Sequence, residues 1–105
     1  MKPEFENIPV VKNESKNRFE IEVNGHFAFI DYRETENQII LVHTETEPEL
    51  AGTGAAVAVV EKTLSYIEDS TKKLLPFCPY VFAYIKKHPE WKRVVDKEFE
   101  RYDQL

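Results

Sequence analysis

The sequence predicts a small α/β (α+β) domain: a twisted, mostly antiparallel sheet with a principal helix after its central strand and further helices toward the C-terminus. Three observations carry this. Residues 17 to 23, "NRFEIEV", alternate apolar and charged side chains. Residues 38 to 44, "QIILVHT", form a nearly continuous β-branched run, and from Thr53 the apolar spacing changes from the period of a strand to that of a helix.

In "NRFEIEV", Phe19, Ile21 and Val23 share one face and Arg18, Glu20 and Glu22 the other. Asn24 and Gly25, a pair that favours positive φ, then precede "HFAFIDY". Residues 17 to 32 therefore read as a β-hairpin with a type I′ turn. "RETENQ" makes a polar turn into "QIILVHT", whose density of branched side chains predicts a central strand buried on both faces. Pro48 has no amide to donate, so "ETEPEL" is a loop.

Between Thr53 and Asp69, residues Ala56, Val57, Val60, Leu64 and Ile67 fall at helical spacing. Three valines lower the helical propensity, so packing has to hold this helix. "LLPFC", residues 74 to 78, reads as a short or edge strand because Pro76 interrupts it. Pro79 suits the first turn of a helix carrying Val81, Tyr84 and Ile85 on one face. Pro89 stops that helix near Lys87 and starts a shorter one. The charged tail "DKEFERYDQL" reads as a fraying or extended end of the last helix.

At 105 residues the chain has room for one core and one domain. Fourteen basic against nineteen acidic residues give a net charge of −5, which argues against nonspecific binding to nucleic acid or to an anionic membrane. The single cysteine, Cys78, rules out an internal disulfide and argues against a metal-thiolate cluster. With no segment of signal-peptide or membrane-span character, the expected setting is reducing and cytoplasmic.

Chemistry concentrates around two of the three glycines. Gly52, Thr53, Gly54, Ala55 and Ala56 place small residues where a helix begins after a strand, and the first amides of a helix are unpaired donors at its positive end. This is either an anion cradle or only a tight turn. A Walker A loop is excluded because no Gly-Lys-Ser/Thr occurs. A dinucleotide fingerprint fails because Val57 occupies the place of its third glycine. His43 ends the central strand, Cys78 ends the next apolar run, and Tyr84 follows on the next helix. If the two strands lie side by side with splayed ends, a ligand held by its phosphates at the glycines can pass between them.

These motifs, in this order, resemble the GCN5-related N-acetyltransferases, and more narrowly their minimal or YjdJ-type subgroup. The matching stretches are "RFEIEVNGHFAFIDY", "LVHTETEPELAGTGAAVAVVEKTLSYI" and "FCPYVFAYIKKHPEW", spanning about residues 17 to 95. The resemblance implies acetyl-CoA as cofactor, its pyrophosphate on the amides of Gly52, Thr53, Gly54, Ala55 and Ala56, and its pantetheine beside Val42, His43 and Thr44. Tyr84, Lys87 and His88 would lie near it. One departure stands out: Glu49 occupies a place where the superfamily usually carries Gln or Arg.

Acetyl transfer to an amine needs a base, stabilisation of the carbonyl oxygen and a proton for the departing thiolate. His43 is the candidate base, because imidazole accepts a proton near neutral pH, and Tyr84 is the candidate acid. Cys78 has three possible parts: a nucleophile that carries the acetyl group with His43 lowering its pKa, a bystander to direct attack by the amine, or an inert buried residue. Each residue also has a plain structural role open to it. His43 can bond backbone at a strand end, and Tyr84 can serve as a half-buried core ring.

His26 reads as a surface residue, Trp91 as a core or interface anchor or a ring against the cofactor, and Lys86, Lys87, Lys92 and Arg93 as a basic cluster that is either a solvated face or the source of one contact to a CoA phosphate. The function expected is acetyl-CoA-dependent transfer to a small-molecule or protein amine. A noncatalytic CoA-binding module and a protein-interaction domain are the alternatives.

Overall fold

The computed structural model describes all residues, 1–105. Five strands form one sheet in chain order: β1 (Val11–Asn13), β2 (Arg18–Val23), β3 (His26–Glu34), β4 (Gln38–Thr46) and β5 (Lys73–Pro76). The first four are antiparallel neighbours, whereas β5 runs parallel to β4 and is reached through α1 (Ala55–Asp69). A βαβ unit is thus joined to the end of an antiparallel meander, as the mostly antiparallel reading requires. The second helix, α2 (Pro79–Lys87), follows β5 directly, and a 3₁₀ segment (Pro89–Val94) follows α2. No helix is long and apolar enough to cross a membrane.

The β2–β3 turn has φ of 52° at Asn24 and 82° at Gly25, the two positive values a type I′ turn demands. It sets a register in which Phe19 and Ile21 of β2 and Ala28, Ile30 and Tyr32 of β3 share the buried face. Val59, Val60, Leu64 and Ile67 of α1 pack there, and Val81 and Ile85 of α2 continue the same core over β4 and β5. Each such side chain gains about 1.5–3 kcal/mol on leaving water, which offsets the poor propensity of the valines in α1.

Three expectations change, and one core residue is added. β4 is buried on one face only: Ile39 and Leu41 are enclosed while Val42 is exposed, because both helices cover the same side of the sheet. The α1 stripe is rotated relative to its sequence reading, with Ala55, Ala58 and Thr63 fully buried and Ala56 and Val57 only partly so. The C-terminal tail does not fray. Phe99 is buried against Phe77 and Phe82, and the Asp96 amide donates to the Leu74 carbonyl at 2.9 Å, covering the outer edge of β5. At the other end of the chain Phe5, in a 3₁₀ turn (Pro3–Phe5), is a core residue.

The β3–β4 pairing contains the irregularity that shapes the site. Its register passes from Tyr32↔Leu41 to Asp31↔His43, so Val42 is an extra residue in β4. Strict alternation from Ile39 and Leu41 would turn His43 toward the helices. The bulge reverses this: His43 pairs with Asp31 on the open face, and Thr44 pairs with the buried Ile30 on the helix face.

Candidate functional site

The parallel β4–β5 ladder ends at Leu41↔Pro76, with one further bond from the Cys78 amide to the Leu41 carbonyl at 2.8 Å. Beyond it β5 gives way to α2, and Val42–Thr46 of β4 keeps a strand neighbour, β3, on one side only. Alternate backbone groups of a strand point to each edge, so β4 presents donors and acceptors into this gap. Ligands of parallel βαβ units gather at the C-terminal ends of the strands, where this gap lies.

The loop after β4 is pinned by the buried Leu50. The Thr53 hydroxyl donates to the Leu50 carbonyl at 2.6 Å and accepts the Ala55 amide at 3.3 Å. Gly52 and Gly54 then take φ of 75° and 92°, values that strain any residue with a β-carbon. Gly54 occupies the N-cap with no side-chain cap, and α1 has no acidic residue in its first turn. The amides of Gly52, Gly54, Ala56 and Val57 donate to no protein acceptor. Unpaired donors at the positive end of a fifteen-residue helix suit an anion.

Glu49, the residue least compatible with phosphate, is turned aside. Its Oε1 lies 3.6 Å from His26 Nδ1, and Glu47, also near His26, accepts the Phe27 amide at 2.7 Å. His26 is thus half-exposed and held between two carboxylates, a more specific place than a plain surface residue.

From the first turn of α1 a groove of about 360 Å³ runs between α1 and α2, lined by Val57, Glu61, Tyr80, Tyr84, Lys87 and His88, with Met1 at one side. Tyr84 stacks on His88 with ring centroids 4.3 Å apart, and its hydroxyl donates to the Glu61 carboxylate. Burial first, then that hydrogen bond, raises the Tyr84 pKa well above the usual phenol value, which makes the hydroxyl a weaker acid while Glu61 holds it. Glu61 is a site residue that the sequence reading did not single out. Its spacing from Tyr84 is not local, and only the crossing of the two helices reveals it.

His43, Cys78 and Tyr84 are not gathered at one point. Cys78 is fully buried, with Sγ 3.2 Å from Thr44 Oγ1, on the helix face. His43 is exposed on the opposite face, with Nε2 3.4 Å from Glu45 Oε1. The expectation that His43 lowers the Cys78 pKa therefore has no contact behind it. Of the basic cluster, Lys87 alone lines the groove. Arg93 pairs with Glu68 and stacks on Trp91, and Lys92 lies over Tyr102. Trp91 packs against the core away from the groove.

The cradle and the groove share the first turn of α1, and the loop from the open β4 edge leads into it, an arrangement that suits an elongated anionic ligand. A protein-family model described as GCN5-related N-acetyl-transferase matches residues 18–94, well over half of the chain. The match opens with β2 and closes with the 3₁₀ segment after α2, so it takes in every element that builds the site.

Proposed function

The chain belongs to the GCN5-related N-acetyltransferase family, and from that premise we propose that it transfers acetyl groups from acetyl-CoA to an amine. We assign it to the minimal, YjdJ-type subgroup on its His43-Thr44 strand end, Cys78-Pro79 and His88-Pro89-Glu90-Trp91. The observation that carries the reading is the unpaired set of amides at Gly52, Gly54, Ala56 and Val57, at the end of the loop that follows the free edge of β4. These amides would hold the pyrophosphate, with Thr53 and Ala55 shaping the turn. Val42, His43 and Thr44 would flank the pantetheine, and Tyr84, Lys87 and His88 would wall the groove.

When bound, acetyl-CoA supplies a thioester, from which the amine takes the acetyl group while CoA leaves as a thiol. His43 faces the open side of the sheet, 3.4 Å from Glu45, and is assigned as the base that takes a proton from the incoming amine. Tyr84 has two assigned parts: its ring walls the groove, and its hydroxyl is the donor for the departing thiolate. The second part requires release from Glu61. Cys78, buried and separated from His43 by the sheet, is assigned to the wall of the thioester slot, which favours direct attack over an acetyl-cysteine.

A noncatalytic CoA-binding module is the second reading, favoured by one observation: Glu61 already engages the Tyr84 proton. Two measurements separate the readings. CoA should raise the melting temperature, and acetyl-CoA with a panel of amines should release free thiol. Stabilisation without turnover on any amine selects the module, and no stabilisation at millimolar CoA overturns both.

A further inference from the structure

The cradle lacks a basic residue from its own loop, where the corresponding position is Glu49. A cation from elsewhere in the chain, Lys2, lies against it. A β-carbon added to Gly54 would lie 3.3 Å from Lys2 Cε and 3.4 Å from Lys2 Cδ, so the Lys2 alkyl chain rests on the glycine that opens α1. Its ammonium, one bond beyond Cε, forms no ion pair or hydrogen bond within the protein.

This placement is built in. Phe5 is buried and lies 3.6 Å from the same point at Gly54. The Phe5 amide donates to the Lys2 carbonyl at 3.0 Å, Pro3 fixes the first φ of the turn, and Lys62 of α1 donates to the Glu6 carbonyl at 3.3 Å. The segment is therefore tied to α1 on both sides of Phe5. Of the nearby charges, Glu49 is directed to His26 and the Met1 ammonium to Glu61, while Glu4 lines the hollow on the Glu49 side. Lys2 is left as the uncommitted cation at the unpaired amides.

We infer that Lys2 is a cofactor-binding residue, its ammonium closing over the CoA pyrophosphate held by the glycine turn. The inference rests on the CoA-binding reading above. A point charge on a phosphate oxygen adds to the helix-end amides and takes over the part that Glu49 cannot play.

Titration calorimetry of the full chain with CoA, dephospho-CoA and pantetheine tests it, on wild type, Lys2→Met and Lys2→Arg. Lys2→Met keeps the alkyl packing and removes the charge. It should weaken CoA and dephospho-CoA equally, by about tenfold, and leave pantetheine unchanged, with Lys2→Arg within about threefold of wild type. Equal CoA affinity in wild type and Lys2→Met overturns the inference. So does a loss confined to CoA, which would place Lys2 at the 3′-phosphate, or a loss shared by pantetheine, which would make its role packing. Wild type that binds none of the three instead overturns the cofactor reading itself, and Lys2 falls with it.

Discussion

Thr44 Oγ1 lies 3.2 Å from Cys78 Sγ, tying the last part of β4 to the residue that leads into α2 at the point where the strands stop pairing. If this contact lines the thioester slot, Cys78→Ala should cost about 1 kcal/mol of stability and leave kcat/KM within about threefold of wild type. Urea denaturation and initial rates check both figures. An acetyl group found on Cys78 by quenched-reaction mass spectrometry, with activity lost in Cys78→Ala, would restore the covalent route.

Of His43, Cys78 and Tyr84, only His43 faces open solvent. His43→Ala should lower kcat/KM for the amine by about 10²-fold or more while CoA affinity, measured by calorimetry, stays within about twofold. Its stability should be unchanged, because the side chain buries little. A variant with full activity removes His43 from the mechanism.

Tyr84→Phe and Glu61→Gln separate the two parts assigned to Tyr84. Tyr84→Phe keeps the ring against His88 and removes the proton, so turnover should fall with CoA affinity retained. Glu61→Gln weakens the hold on the phenol and should leave turnover equal or higher. If both variants keep wild-type rates, the Tyr84–Glu61 contact only joins α1 to α2.

Gly54→Ala places a β-carbon at a φ of 92° against Lys2 and Phe5, whereas Gly52→Ala meets nothing within 4 Å. Both carry the left-handed strain of about 1–2 kcal/mol, and Gly54→Ala should be the more destabilising. Thermal melting ranks them. The order inverted would mean that the N-terminal turn does not sit on Gly54.

Glu34 accepts hydrogen bonds from Lys12 of β1 at 2.7 Å and Lys72 at 2.6 Å, and these hold its carboxyl below the usual range. Its folded-state pKa is depressed, so its contribution is complete above the unfolded value and is lost as the pH falls through the folded one. The side chains are partly exposed, which limits the effect to about 1 kcal/mol. Glu34→Gln should lower stability at pH 7 and flatten its decline toward acid, measured by denaturation at several pH values.

The hairpin, α1, β5 and α2 were legible because local chemistry dictates them: Asn24-Gly25, the helical spacing of Val60, Leu64 and Ile67, Pro76 and Pro79. The face of His43 was not. A bulge at Val42 carries no residue signature here, yet it reverses the orientation of each later β4 side chain. Phe5, Phe99 and Glu61 escaped for a related reason, since their contacts are distant in sequence and their flanks are charged. The glycine turn was visible, but its unpaired amides and the turning of Glu49 toward His26 needed coordinates.

The central claim is that the start of α1 and the free edge of β4 hold CoA. Amide chemical-shift mapping of the ¹⁵N-labelled protein with CoA tests it most directly. The predicted result is that the largest saturable shifts fall on Gly52, Gly54, Ala56 and Val57, with a second group at Val42–Thr44. Shifts that avoid both segments, or none at saturating CoA, would contradict it.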